Sequence, residues 1–247
     1  MYLSLIIPIY NEEENLENNI FQILSYLKTR KFPFEIILVN DGSTDDTLKI
    51  AKRLSKKHQS IKLISYKQNK GKGHAIRQGL LAGKGEYLGF VDADNASPIK
   101  NIQRSLISLQ NAYDVVIGSR NEADVFGARQ IKPQNRIKRV LGTGGNKLIK
   151  IIIRQNINDT QCGFKMFTRR FVDSVIPKTK INRWAIDVEI LLLAKRHNYK
   201  IDIIPIEWTC GPVSRVGVLG YFITLKELLE IWLRDTRGIY KNTRNKL

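Results

Sequence analysis

The chain has 247 residues, of which 43% are hydrophobic and 26% are charged, and its formal net charge at neutral pH is +18. This length corresponds to one large domain or two small ones, and the hydrophobic fraction excludes a wholly disordered chain. So large a positive charge predicts an anionic partner, which can be a nucleic acid, a membrane surface or a phosphorylated substrate.

Strand-like and helix-like segments alternate through the first half of the chain. Short apolar runs predict five strands, at residues 3–9, 35–39, 61–66, 87–91 and 115–118. Helical spacing of apolar residues and helix-start signals predict four helices between them, at residues 16–27, 43–57, 75–81 and 97–109. This alternation predicts an α/β fold with a Rossmann-like, mainly parallel sheet and helices on both faces.

Two of these helices begin with specific sequence signals. Ser43, with Asp46 three residues later, is typical of a capped helix N-terminus. Ser97 followed by Pro98 is typical of an N-cap and the first helical residue. We therefore expect Ser43 to cap the second predicted helix and Ser97 to cap the fourth.

Polar residues follow four of the predicted strands at their carboxyl ends. They are Tyr10 to Glu12, Asn40-Asp41, Asp92-Ala93-Asp94 and Ser119-Arg120. Ligands of parallel sheets bind beyond the carboxyl ends of the strands, so these four segments are expected to line one crevice. Mg²⁺ prefers a few carboxylates together with substrate phosphates, and two carboxylates two residues apart can share such an ion. Asp92 and Asp94 are therefore candidate metal ligands.

The second half of the chain is less regular and more basic. Residues 126–154 contain eight basic residues and no acidic one, and residues 222–233 show the apolar spacing of an amphipathic helix. The charge-free apolar stretch at residues 216–225 is ten residues long, whereas a membrane span needs about 20. The first ten residues lack a basic segment and a cleavage site. We therefore expect no signal peptide and no spanning helix.

The polar motifs together resemble the family 2 glycosyltransferases, which are inverting enzymes of the GT-A fold. The resemblance is carried by IPIYNEE at residues 7–13, VNDGS at 39–43, KGKGHA at 70–75 and DAD at 92–94. Further motifs resemble the branch of that family that glycosylates polyprenyl phosphates, namely GSR at residues 118–120, DTQCGFK at 159–165 and RWAIDVE at 183–189.

The resemblance implies a nucleotide-sugar donor and a polyprenyl phosphate acceptor of the dolichyl type. The residues implied to contact the donor are Pro8, Tyr10, Glu12, Asp41, Lys72, Asp92, Ser214 and Arg215. Asp92 and Asp94 would hold Mg²⁺ or Mn²⁺ on the donor's diphosphate. The residues implied to bind the acceptor phosphate are Arg120, Arg136, Arg139 and Thr143. The implied catalytic set is Asp92, Asp94, Asp187 and Arg120.

The identity of the transferred sugar depends on one departure from the family pattern. Mannosyl relatives can carry a metal-binding glutamine two residues past the DxD motif, and this chain has Ala96 there. This favours UDP-glucose as the donor. The alternatives are mannosyl transfer from GDP-mannose and transfer to a glycan hydroxyl. Nucleic-acid binding is a remote alternative, since only the net charge suggests it and the sequence contains no recognisable RNA- or DNA-binding motif.

Asp187 stands near the position at which relatives with hydroxyl acceptors need a base. The second pKa of a phosphate monoester is about 6, so such an acceptor is already largely ionised at neutral pH. We therefore predict that Asp187 orients a sugar hydroxyl or a cationic side chain and that general-base catalysis is minor.

The predicted organisation is a single glycosyltransferase domain over residues 1–235. Residues 1–120 would bind the donor, residues 121–235 would bind the acceptor, and residues 236–247 would form a basic tail. The basic segment and the amphipathic helix fit a peripheral contact with an anionic membrane. We expect a cytoplasmic protein bound at the cytosolic membrane face, and the sequence leaves open a membrane-anchored protein partner.

Overall fold

The structure is a computed structural model that describes residues 1–130, 149–208 and 218–241. The strands in these ranges are β1 (Leu3–Ile9), β2 (Phe34–Asp41), β3 (Ile61–Tyr66), β4 (Tyr87–Val91), β5 (Val115–Ser119), β6 (Arg129–Gln130), β7 (Phe164–Thr168), β8 (Ile201–Pro205) and β9 (Glu207–Trp208). The helices are α1 (Leu16–Lys28), α2 (Thr47–Lys57), α3 (Lys72–Ala82), α4 (Asn101–Gln110), α5 (residues 149–153), α6 (Arg169–Val175), α7 (Ile186–Arg196) and α8 (Val218–Thr236). A 3₁₀ turn, Ile176–Lys178, follows α6.

The central sheet has seven strands in the order β3-β2-β1-β4-β7-β5-β8, and β6 pairs with β9 in a small second sheet. β1 is parallel to β2 and β4, β2 is parallel to β3, and β5 is parallel to β8. β7 is antiparallel to both of its neighbours, β4 and β5. The predicted α/β fold with a mainly parallel sheet is confirmed, and the insertion of β7 between β4 and β5 adds an element that sequence reasoning did not predict.

Helices cover both faces of this sheet. Ile6 of β1 joins a core that contains side chains of α3, α5, α6, α7 and α8. Leu5 and Ile7 of the same strand join the core on the other face, with α1, α2 and α4. Because both faces are buried, the strand is apolar nearly throughout, as is typical of parallel sheets.

The predicted starts of α2 and α3 are wrong. α2 begins at Thr47 rather than at Ser43, because the Ser43 hydroxyl accepts a hydrogen bond from the backbone N–H of Asn11 (3.1 Å) and ties two strand ends together. α3 begins at Lys72, three residues before the predicted start at Ala75.

The predicted start of α4 is also wrong, since this helix begins at Asn101 rather than at Ser97. The Asn101 side chain donates to the carbonyl of Pro98 (2.9 Å), and the Ser97 hydroxyl lies 3.7 Å from the Cys162 thiol. Ser97 is therefore used in a contact with a distant segment and caps no helix.

Helix α8 presents two kinds of apolar side chain. Leu228 and Ile231 are buried in the core that also contains side chains of α3, α6 and α7, whereas Phe222 is 66% exposed. Other apolar side chains of α8 that remain exposed are Leu225, Leu229, Trp232 and Leu233. The amphipathic segment predicted at residues 222–233 is thus helical, with apolar side chains on its outer side too. Within the described ranges, no helix combines the length and the hydropathy that a bilayer span requires.

The chain order of the strands reverses between β1 and β4. From β1 the chain proceeds to β2 and β3 on one side, and β4 then returns to the other side of β1. In open α/β sheets, the crevice beyond the carboxyl ends at such a reversal is where ligands bind.

Candidate active site

The Asp92-Ala93-Asp94 turn lies at this crevice, directly after β4. The backbone N–H of Asp92 donates to the carbonyl of Gly163 (3.1 Å), and the buried amide of Asn19 donates to the carbonyl of Ala93 (2.8 Å). The Asp94 side chain is exposed and accepts from the backbone N–H two residues later. Gly163, which directly precedes β7, and Asn19 of α1 therefore fix the turn that carries the two carboxylates.

Lys72, the first residue of α3, forms an ion pair with Asp92, with 2.5 Å between its ammonium and Oδ1. Burial alone would lower the pKa of Lys72, but the nearby carboxylates of Asp92, Asp187 and Asp94 raise it to about 12. Burial would likewise raise the pKa of Asp92, but Lys72, Lys165 and Arg120 hold it below its ordinary value. Both side chains are therefore charged at neutral pH.

The glycine-rich turn before α3 is held from two sides. The two carboxylate oxygens of Asp41, at the end of β2, accept from the backbone N–H groups of Lys70 (2.8 Å) and Gly71 (2.9 Å). Gly71 has a φ of +102°, and a Cβ there would lie 2.4 Å from the carbonyl oxygen of Asn182. This backbone conformation and close contact require glycine.

On its other side, the start of α3 pairs with the segment that precedes α7. The backbone N–H of Gly73 donates to the carbonyl of Arg183 (3.1 Å), and that of His74 donates to the carbonyl of Asn182 (2.9 Å). The position of Lys72 thus depends on β2 and on the segment before α7 together.

Hydrogen bonds join the segment after β1 to the segment after β2 and to the first residue of α2. The backbone N–H of Glu12 donates to the hydroxyl of Thr47 (2.7 Å), and the side-chain oxygen of Asn11 accepts from the backbone N–H of Thr44 (2.9 Å). Pro8 is half-buried, and Tyr10 is 39% exposed. These residues lie at the same sheet edge as Asp41, because β1 and β2 are parallel neighbours.

Arg120 follows β5 and forms a bidentate ion pair with Asp159. Its Nε and Nη2 lie 2.7 and 2.8 Å from the carboxylate oxygens, and its backbone N–H donates to the same carboxylate (2.8 Å). Burial would lower the pKa of Arg120, but Asp159 raises it, and the Arg120 guanidinium in turn lowers the pKa of the buried Asp159 carboxyl. The indole of Trp208 lies 5.2 Å from the guanidinium carbon. Asp159 thus holds Arg120 in place.

Asp187 lies in the first turn of α7 and pairs with Lys165 of β7. The ammonium of Lys165 donates to Asp187 Oδ1. It also donates to the carbonyls of Thr160 and Cys162, and each of these two distances is 2.9 Å. Lys165 is fully buried, and Asp187 is only 3% exposed. Asp187 thus contacts a cationic side chain that sequence reasoning did not select, and its role in orienting a sugar hydroxyl or a cationic side chain stays a prediction.

Of the residues selected from the sequence, five share one electrostatic cluster at the carboxyl edge of the sheet. They are Asp92, Asp94, Lys72, Asp187 and Arg120. Others lie at the adjoining ends of β1 and β2, namely Pro8, Tyr10, Glu12 and Asp41. The remaining candidates fall outside the described residues: Arg136, Arg139, Thr143, Ser214 and Arg215.

Sequence reasoning missed Lys165 and Asp159 as partners of site residues. Both lie in the DTQCGFK motif, which resembles a motif of the polyprenyl phosphate branch but to whose residues the sequence analysis assigns no role. One signal was available: Lys165 stands in a short run between Phe164 and Met166, where a lysine requires a special environment.

The two carboxylates of the DAD turn fit a divalent cation completed by substrate phosphates. Carboxylate oxygens are ligands that Mg²⁺ and Mn²⁺ accept, and Mg²⁺ is usually bound by one or two of them plus phosphates. In the described part of the chain, no group of three or more His, Cys, Asp or Glu side chains forms a metal-binding cluster. The structure also shows that a positive charge is accommodated at Asp92, because the Lys72 ammonium lies against it.

Comparison with known sequences connects this site to a family. The family described as Glycosyl transferase family 2 matches residues 4–176 of the chain. The dolichyl-phosphate beta-glucosyltransferase of Dictyostelium discoideum is 34% identical, over 98% of this chain and 77% of its own length. The proteins of that name from Saccharomyces cerevisiae and Homo sapiens are each 33% identical, over 99% and 97% of this chain and 78% and 77% of their own lengths.

Solved structures share the fold at lower identity. Glucosyl-3-phosphoglycerate synthase from Mycobacterium tuberculosis, in complex with Mn²⁺, uridine diphosphate and glucosyl-3-phosphoglycerate, has a TM-score of 0.68 and 18% identity, covering 93% of this chain and 79% of that one. S. aureus TarS 1-349 has a TM-score of 0.57 and 18% identity, covering 94% and 65%. At such identities the likeness establishes a common fold.

Proposed function

The chain belongs to glycosyl transferase family 2 and has the GT-A fold, and we propose that it transfers glucose from UDP-glucose to a dolichyl-type polyprenyl phosphate. One observation carries this proposal: dolichyl-phosphate beta-glucosyltransferases are 31–34% identical to the chain over 94–99% of its length. The reaction is an in-line displacement at the anomeric carbon, in which the lipid phosphate attacks and the nucleoside diphosphate leaves.

On the donor side, the chain must stabilise negative charge that grows on the leaving diphosphate. The Lys72 ammonium stays protonated at neutral pH and lies at the first turn of α3, where the helix N-terminus adds partial positive charge. Lys72 is therefore proposed to bind the diphosphate. The side chains proposed to contact the rest of the donor are Pro8, Tyr10, Glu12, Asp41, Ser214 and Arg215.

Asp92 and Asp94 are proposed to hold Mg²⁺ or Mn²⁺ next to the diphosphate. A metal ion bound there supplies Lewis-acid stabilisation of the leaving group. The solved structure that contains Mn²⁺ and uridine diphosphate in the same fold supports a divalent metal. The contribution of the protein is to fix the DAD turn through Asn19 and Gly163.

On the acceptor side, Arg120 is proposed to bind the lipid phosphate together with Arg136, Arg139 and Thr143. A guanidinium has five N–H groups, and Asp159 takes two of those on Arg120, which leaves N–H groups for a second anion. A phosphate monoester is largely ionised at neutral pH and needs no base. Asp187, already paired with Lys165, is proposed to position groups at the site rather than to remove a proton.

We further propose peripheral binding at the cytosolic face of a membrane, which brings the site to its lipid acceptor. The support is the net charge of +18 together with the exposed apolar side chains of α8. A polybasic surface gains about 1 kcal/mol per well-placed Lys or Arg at an anionic membrane.

The decisive experiment offers the purified chain two radiolabelled donors, UDP-glucose and GDP-mannose, with polyprenyl phosphate and Mn²⁺ or Mg²⁺. We expect label from UDP-glucose to enter the organic phase. Label from GDP-mannose instead would identify a mannosyltransferase, and label transferred only to a glycan would exclude the lipid acceptor.

Site variants connect this activity to the proposed residues. Asp92→Asn removes one of the two carboxylates that are proposed to hold the metal ion. It is expected to reduce transfer by a factor of about 100 or more, because the leaving group loses the electrostatic stabilisation that this ion supplies. Asp173→Asn is the matched control, since the Asp173 side chain in α6 is 62% exposed and pairs only with Arg169 among the ion pairs of the described residues. Equal activity of the two variants would contradict the assignment of Asp92.

A further inference from the structure

Lys165 is the most deeply buried cation of the described residues that line the site. It lies in β7, where its backbone faces Phe90 of β4 and Ile117 of β5, and its side chain is fully buried. An ammonium has three N–H donors, and each has an acceptor here: the carbonyls of Thr160 and Cys162 and a carboxylate oxygen of Asp187. The group is therefore hydrogen-bonded completely by protein atoms.

The two carbonyl acceptors, Thr160 and Cys162, belong to a loop that touches both halves of the site. The loop begins at Asp159, which holds Arg120 bidentately. It ends at Gly163, whose carbonyl accepts from the backbone N–H of Asp92. A Cβ on Gly163 would lie 1.8 Å from Asp92 Oδ2, so the Asp92 carboxylate packs directly on this backbone. The position of this loop relative to the sheet therefore determines where the side chains of Asp92 and Arg120 can lie.

Stability alone is a poor explanation for this arrangement. Removing two charges from water costs several kcal/mol per ion, and apolar residues of similar volume in place of a buried ion pair are often neutral or stabilising. The face of the sheet that carries Lys165 already contains Phe90, whose ring centroid lies 5.6 Å from the ammonium, and Phe167, and an apolar side chain would fit chemically beside them. A role in the placement of the loop accounts for a lysine here, because its long side chain and three donors allow it to bind two carbonyls and Asp187 of α7 at once.

We propose that Lys165 is a positioning residue of the transfer reaction, which holds the loop of residues 159–163 against α7 and so fixes the Asp92 carboxylate and the Arg120 guanidinium in register. This inference rests on the proposed function, because it assigns Lys165 an effect on metal and donor binding at Asp92. Lys165 itself touches no reacting atom and acts through the loop and Asp187.

The test is the variant Lys165→Met, examined in the full chain for Mn²⁺ binding in the presence of uridine diphosphate by electron paramagnetic resonance titration. We expect Mn²⁺ to bind about 10- to 100-fold more weakly, which is the usual effect of removing a group that orients a metal ligand. Asp187→Asn keeps the bonds from Lys165 to both carbonyls and is expected to weaken Mn²⁺ binding less than about threefold.

The matched control is Arg170→Met, which also leaves a buried carboxylate without its cation. Arg170 pairs with Asp114, whose side chain is 6% exposed. Asp114 directly precedes β5, so this pair lies at the end of the strand opposite to the one that leads to Arg120. Both Met variants should lower the melting temperature, but only Lys165→Met should change Mn²⁺ affinity. A lower melting temperature with unchanged Mn²⁺ affinity in Lys165→Met would overturn the proposal.

Two further results keep this test separate from that of the proposed function. If Lys165→Met does not fold, the double variant Lys165→Met/Asp187→Asn removes the uncompensated buried carboxylate, and the same loss of Mn²⁺ affinity is expected in it. Wild-type affinity in the double variant would overturn the proposal. If the wild-type chain itself binds no Mn²⁺ with uridine diphosphate, the proposed function fails first.

Discussion

Three carboxylates of the site are each paired with a different cation. Lys72 pairs with Asp92, Arg120 with Asp159, and Lys165 with Asp187. Carboxylates crowded together in a half-buried crevice would otherwise repel each other and take up protons. Lys72 and Arg120 hold the pKa values of Asp92 and Asp159 below their ordinary value, and the Lys165 ammonium lies against the Asp187 carboxylate.

The first prediction at this scale concerns Asp159 and acid stability. Burial would raise the pKa of Asp159, but Arg120 holds it below the ordinary value of 3.8. Its contribution to the free energy of unfolding is therefore present above about pH 4 and is lost as the pH falls through the folded-state pKa. Asp159→Asn should cost about 3 kcal/mol at pH 7, as expected when one partner of a buried pair is removed.

Urea denaturation of the wild type and Asp159→Asn at pH 7, 5 and 3.5 measures this difference. The two free energies of unfolding should converge towards the lowest pH. A difference that stays constant over this range would show that the Asp159 charge contributes nothing to it.

Asp187 gives a second prediction at this scale. If its carboxylate orients groups and removes no proton, Asp187→Asn should lower kcat by about tenfold, less than the 10²–10⁴-fold usual for loss of general acid–base catalysis. Both enzymes should show a rate that rises with pH around 6, because the acceptor phosphate loses its second proton there. A rise near pH 6 in the wild type that vanishes in Asp187→Asn would identify Asp187 as a base.

At the scale of elements, two helices hold the segment that supports the glycine-rich turn. Glu189 of α7 accepts from the backbone N–H groups of Lys180 (2.8 Å) and Ile181 (2.8 Å). Glu227 of α8 accepts from those of Arg183 (2.9 Å) and Ala185 (3.0 Å). Because the Arg183 carbonyl in turn accepts from the backbone N–H of Gly73, α8 is connected to the start of α3 through the Glu227 side chain and one backbone hydrogen bond.

The connection predicts a distant effect on donor binding. Glu227→Gln keeps one acceptor oxygen and leaves one backbone N–H without a partner, which should cost about 1–3 kcal/mol of stability. It should also raise KM for UDP-glucose about threefold, because the turn that carries Lys72 loses support. Glu230→Gln, on the same helix, is the control, since Glu230 is 39% exposed and pairs with Arg234 within the helix. Indistinguishable KM values for the two variants would refute the connection.

Local patterns explain which elements were predictable from the sequence. β1, β2 and β4 are short apolar runs followed by polar residues, so both the strands and the site at their ends could be predicted from neighbouring residues alone. β7 contains a lysine whose charge is compensated by Asp187, 22 residues later, and no local pattern reveals such a partner. The hydroxyl of Ser43 was misassigned for the same reason, since its partner is Asn11 on another strand.

The whole molecule combines a strong positive charge with an apolar outer face on α8. Phe222, Leu229 and Trp232 are each about half exposed or more on that helix. Burying a large apolar side chain fully is worth about 1.5–3 kcal/mol, so several half-exposed ones together contribute appreciably at a membrane interface. We therefore expect the positive charge to attract the chain to anionic lipid at a distance and the exposed apolar side chains to bind after contact.

Flotation with phosphatidylserine vesicles tests this combination without any other protein present. The wild type should float at low salt and much less in 0.5 M salt, because the Debye length then falls to a few Å. Phe222→Ser/Trp232→Ser should float less at low salt than the wild type. Phe21→Ser is the control, because Phe21 is 62% exposed on α1, which covers the opposite face of the sheet. If the wild type does not float even at low salt, α8 and the charge do not suffice for membrane binding.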